Sequence, residues 1–68
     1  MDIKQAQTKY DWIAAQLAAG RTVYLSTALR STALKAKHLP MVRVSNGSLE
    51  VQHGKRWIDY SYTNITAR

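Results

Sequence analysis

The chain has no cysteine and no phenylalanine, a single proline, three glycines, and four acidic residues against ten lysines and arginines in 68 residues. Without cysteine there is no disulfide framework and no thiolate metal site, so two usual staples of a very small fold are excluded. Four carboxylates and two histidines, His38 and His53, leave little from which to assemble a metal centre with three or four protein ligands. No metal and no cofactor is therefore expected. Serines and threonines are plentiful, but none lies in a nucleophile-elbow or phosphate-loop motif, and the expectation is a non-enzymatic protein. Glu50 and Asp59 are the carboxylates that strand pairing could bring side by side. With Arg43 close by they read as part of a solvated face rather than as an acid/base pair.

Long apolar runs are also missing. No stretch approaches the roughly 20 residues of a membrane span, and Met1-Asp2-Ile3-Lys4-Gln5 lacks the charged start and apolar run of a secretory signal. The default expectation is a cytoplasmic protein with no membrane partner. Asn46-Gly47-Ser48 and Asn64-Ile65-Thr66 match the glycosylation pattern but carry no such meaning without a signal. There is no Lys/Arg-Gly-Phe/Tyr signature, no GXXG loop, no zinc-finger spacing and no strong helix-turn-helix pattern. The size and composition suit an accessory protein of a phage or mobile element, an impression that no motif carries.

The length allows a single domain, residues 1–68, near the lower limit at which one core offsets the entropy lost on folding. Net charge is +6, and its distribution is uneven. Lys4 and Lys9 are matched by Asp2 and Asp11, whereas eight lysines and arginines follow Gly20 against only Glu50 and Asp59. Such asymmetry favours a polyanionic partner, with a merely soluble basic surface as the bland alternative.

Ile3, Ala6, Tyr10, Ile13, Ala14 and Leu17 recur at spacings of three and four, which predicts a helix over about 3–19 with Asp2 as cap and Gly20 as stop. Trp12, roughly 100° around from the stripe, is expected to pack at its margin. Thr22–Ser26 alternates and reads as a strand, about 22–26. The five-residue unit Ser-Thr-Ala-Leu-basic then occurs twice, over Ser26–Arg30 and Ser31–Lys35. This stretch either extends the strand or forms a short helix capped by Ser31 or Thr32, with Pro40 ending either one.

Asn46-Gly47 between alternating runs is a hairpin signal, because a type I′ turn needs positive φ at both central residues. A two-residue loop sets Val44 opposite Leu49, Arg43 opposite Glu50 and Val42 opposite Val51, which makes one face apolar. A second turn at Gly54-Lys55 sets Val51 opposite Ile58 and Leu49 opposite Tyr60. Strands are thus expected at about 41–45, 48–53 and 56–62, the tail from Ser61 to Thr66 either continuing the last one with Tyr62 inward or curling across an edge. The fold class is α+β: an N-terminal helix packed on a three- to four-stranded antiparallel β-meander.

Two clusters carry the functional expectation. His53-Gly54-Lys55-Arg56-Trp57 leads two cations into a tryptophan on the outer face, beside Arg43, where an indole could stack a base or pack against arginine stems. Arg30, Lys35, Lys37 and His38 lie among hydroxyls, a composition that suits phosphate oxygens and also suits a solvated loop. The candidate binding residues are Arg30, Lys35, Lys37, Arg43, Lys55, Arg56 and Trp57. The expected partner is nucleic acid, DNA or RNA. The alternative is a small inhibitor or adaptor docking on an acidic protein or a nucleoprotein complex. A homodimer through an exposed sheet edge is left open.

Overall fold

The computed structural model describes residues 3–68, and their side chains from Gln5 onward. Helix α1 spans Ile3–Ala18. Its buried face carries Ala6, Ile13 and Leu17, with Tyr10 packed at the edge of the core. The expected Asp2 cap and the place of the Ile3 side chain lie outside the described residues. At the other end Gly20 N–H donates to Leu17 O and Arg21 N–H to Gln16 O, a crossed pair of bonds that satisfies two terminal carbonyls. Trp12 departs from expectation. It is 42 % exposed, because one residue's rotation from Ile13 carries it past the sheet that covers the stripe.

Six strands follow: β1 Val23–Ser26, β2 Ser31–Leu34, β3 Val42–Ser45, β4 Ser48–His53, β5 Arg56–Asp59 and β6 Asn64–Ala67, with a 3-10 helix at Ala36–Met41 between β2 and β3. They form two antiparallel three-stranded sheets, ordered β2-β1-β6 and β3-β4-β5. The second sheet has the expected register, with Val42 opposite Val51, Val44 opposite Leu49 and Arg43 opposite Glu50. Asn46 at φ 51° and Gly47 at φ 77° hold its first turn. At the second turn Gly54 has φ 62°, and Val51 pairs with Ile58 while Gln52 pairs with Trp57.

The meander does not continue to residue 62. Tyr60 N–H still donates to Leu49 O at 2.7 Å, but Leu49 N–H goes to the buried Ser61 hydroxyl at 3.3 Å instead of to a strand carbonyl. Lys9 Nζ takes the Ser61 carbonyl at 2.7 Å. The chain bends here and crosses to the first sheet, where β6 pairs with β1. The change of direction breaks the alternation, so Tyr62 is 80 % exposed rather than inward.

The stretch left open by the sequence takes neither expected form: a turn ends β1, Ser31 and Thr32 lie in a separate strand instead of capping a helix, and a 3-10 helix begins only at Ala36. Thr27 Oγ1 accepts from the Leu29 and Arg30 N–H groups, which turns the first Ser-Thr-Ala-Leu-Arg unit back on itself. The second unit becomes β2, paired with β1. Pro40 lies inside the 3-10 helix rather than ending it. Pro40 is exposed and next to last in this helix, so its missing N–H costs at most one bond. One core unites the layers: Ile13 and Leu17 of α1, Val23 and Leu25 of β1, Leu34 of β2, Val42 of β3, Leu49 and Val51 of β4, and Tyr60. Burying each large side chain contributes about 1.5–3 kcal/mol against the entropy of folding.

Candidate functional site

The structure distributes the seven candidate residues over three places. On the outer face of the second sheet, Arg43 reaches across β4 so that its guanidinium lies 4.0 Å from the centre of the half-buried Trp57 ring. Arg43 Nε also donates to Glu50 Oε1 at 2.8 Å. Glu50 sits opposite Asp59 as expected, and Asp59 Oδ1 accepts the Ser61 N–H at 2.7 Å. Both carboxylates thus have structural duties. The stacking partner that this indole has found is an arginine of its own sheet. Arg56 pairs with His53, one residue out of phase with Trp57, so the two side chains leave opposite faces of β5.

Arg30 ends the β1–β2 turn, close to Ile58, Asp59 and the exposed Leu29 and Tyr62 around a shallow depression. About 13 Å of extended chain, four residues of strand, separate it from Leu34 at the far end of β2.

At that far end the two clusters meet. A cleft of about 250 Å³ runs between β2 with the 3-10 helix on one side and the β4–β5 turn on the other. Thr32, Leu34 and His38 line the first wall, Val51, His53 and Gly54 the second. Lys35 follows Leu34, Lys37 precedes His38, and Lys55 and Arg56 follow Gly54, so exposed cations are the chain neighbours of lining residues on both walls. His38 Nδ1 accepts the Lys35 N–H at 2.9 Å, which anchors the ring on the 3-10 helix. His53 Nε2 is hydrogen-bonded to the Tyr60 hydroxyl at 2.9 Å, and the two rings stack with centroids 5.7 Å apart. Burial pushes the Tyr60 phenol above its ordinary pKa, an effect that the positive field of Arg30 partly offsets.

Commitments within the fold sort the cations. Lys9 is held by the Ser61 carbonyl, Arg21 by Gln16 Oε1, Arg43 by Glu50, and Arg68 lies over the Tyr24 ring at 5.8 Å. Arg30, Lys35, Lys37, Lys55 and Arg56 are exposed and make no side-chain hydrogen bond or ion pair among the described residues. A larger depression of about 580 Å³ lies elsewhere, over Gln5, Lys9, Ser26 and Asn64. Its one lysine donates to the Ser61 carbonyl, and the other lining residues are uncharged.

The candidate binding residues did not include Thr32, His38 and His53 of the cleft walls, although each stood in one of the two expected clusters. Each expected cluster contained a histidine, but no local pattern joins segments this far apart in the chain. No group of three or more potential metal ligands occurs among the described residues, and no described helix is long and apolar enough to cross a membrane. Comparison with protein-family models, curated proteins and solved structures finds no match to this chain.

Proposed function

We propose that this chain is a small, cytoplasmic, non-enzymatic module that binds nucleic acid, with Lys35, Lys37, Lys55 and Arg56 holding phosphates around the cleft and Arg30 extending the contact. The observation that supports this reading is the sorting of charge. Exposed cations without internal partners adjoin, in the chain, the lining residues of one cleft on two separate segments, while Glu50 and Asp59 are committed on the sheet's outer face. Clustered cations of this kind neutralise phosphates and release counterions, so affinity falls steeply with salt. Arg43 and Trp57 stand outside this set, since each already occupies the other.

A second reading, docking on an acidic protein or nucleoprotein surface, draws support from Leu29 at 92 % exposure beside Tyr62 and Arg30. Anisotropy titration of a labelled oligonucleotide at low and physiological salt tests the first reading. Binding that is measurable at low salt and weakens steeply on salt addition supports it. No binding at low salt removes it, and recovery of a single protein from host extract after nuclease treatment would then support the second.

A further inference from the structure

We propose that the cleft between β2, the 3-10 helix and the β4–β5 turn receives an unpaired nucleobase, so that the nucleic acid gripped by this chain is single-stranded. The inference rests on the nucleic-acid reading above and adds the form of the polymer. Two features carry it.

The first is the lining of the cleft. Met41 provides apolar surface where the buried Leu34 and Val51 close the cleft, while Thr32, His38 and His53 provide polar atoms. At about 250 Å³ the space is smaller than a site for a drug-sized ligand, which runs to roughly 300–1,000 Å³, and suits one planar ring system. The histidines are held in place. Because His38 Nδ1 accepts a backbone N–H, the neutral ring carries its proton on Nε2 and can donate there. His53 is fixed by its bond and its stack with Tyr60, which leaves Nδ1 for a ligand. Imidazole rings and hydrogen-bonding atoms beside Met41, with exposed cations next in the chain for the flanking phosphates, match a splayed base of a single strand.

The second feature is the helix. A helix that reads a duplex enters a groove while cations meet the backbone on either side. Among the described residues α1 is the one helix long enough, and its outer surface presents Gln7, Asp11, Trp12 and Ala15. Gln7 Nε2 donates to Asp11 Oδ1, and Lys9 is bound to Ser61. Among the described side chains that surface offers a carboxylate and no cation free of an internal hydrogen bond, so it lacks the exposed, uncommitted cations that meet a duplex backbone.

The test measures affinity at low salt for a labelled mixed-sequence single strand and for its duplex, with inorganic polyphosphate as a competitor that has charge but no bases. The single strand is expected to bind at least about tenfold more tightly than the duplex, with polyphosphate competing weakly. His38→Asn keeps an acceptor for the Lys35 N–H and removes the ring, and Thr32→Gln fills the cleft from its other end. Each variant, verified as folded by circular dichroism, is expected to weaken single-strand binding about tenfold and to leave polyphosphate binding unchanged. Duplex or polyphosphate binding as tight as the single strand overturns the inference and leaves the polyanion reading standing. So does single-strand affinity that both folded variants retain. Failure of all three probes to bind overturns the reading beneath it.

Discussion

Replacing one cation that adjoins each wall of the cleft, as Lys35→Gln with Lys55→Gln, should change the salt dependence of binding by a calculable amount. Both side chains are exposed and without hydrogen-bond or ion-pair partners among the described residues, so the substitutions should leave stability within about 0.5 kcal/mol. Each cation that meets a single-stranded phosphate contributes about −0.7 to the slope of log K against log salt. Five uncommitted cations therefore give about −3.5, and the double variant about −2.1. Between roughly 50 and 200 mM salt, wild-type affinity should fall about 100-fold and that of the variant about 20-fold. Anisotropy titration across that range measures both slopes. A control with Arg21→Gln and Arg68→Gln removes the same formal charge from residues that the fold already engages with Gln16 and Tyr24. If the control flattens the slope as much as the cleft variant does, overall charge is responsible and the cleft is not the site. An unchanged slope in the cleft variant refutes the reasoning as well.

Tyr60→Phe should cost about 1 kcal/mol in urea unfolding at neutral pH, because His53 Nε2 loses its hydroxyl partner. Since burial raises the folded-state pKa of this phenol above the unfolded value, its contribution is complete below about pH 10 and is lost as pH rises through the folded value. Wild type should therefore lose stability more steeply than the variant above about pH 10, and parallel alkaline profiles would contradict the burial argument. Ser61→Ala should destabilise by about 1–3 kcal/mol, since it leaves the buried Leu49 N–H without its acceptor at the point where β5 ends. A loss within the error of the denaturation midpoint would mean that another acceptor replaces the hydroxyl.

The two nearly identical five-residue units show where local information stops. Ser26–Arg30 and Ser31–Lys35 have the same residue types in the same order, differing only in the basic residue, yet the first is a turn and the second a strand. The difference comes from place. Leu34 meets Val23 across β1 and enters the core, whereas Leu29 projects from the turn into solvent. Trp12 and Tyr62 follow the same logic, since their exposure depends on where a sheet ends and where the chain crosses over, neither of which is a periodicity.

What the residues determined unaided was whatever neighbours in sequence can enforce. The helical stripe, the Asn46-Gly47 and Gly54-Lys55 bends with the register they impose, the inward Leu49 and Tyr60, and the crowding of positive charge after Gly20 all follow from steric and hydrophobic rules acting over short separations. Tertiary structure alone decided that β6 returns to β1, that β2 folds back rather than coiling, that Arg43 covers Trp57, and that two basic segments face each other across one cleft. Contacts between distant segments depend on which arrangement buries the most apolar surface for the loop entropy it costs. That comparison is made over the whole chain at once, and no short window of sequence records its outcome.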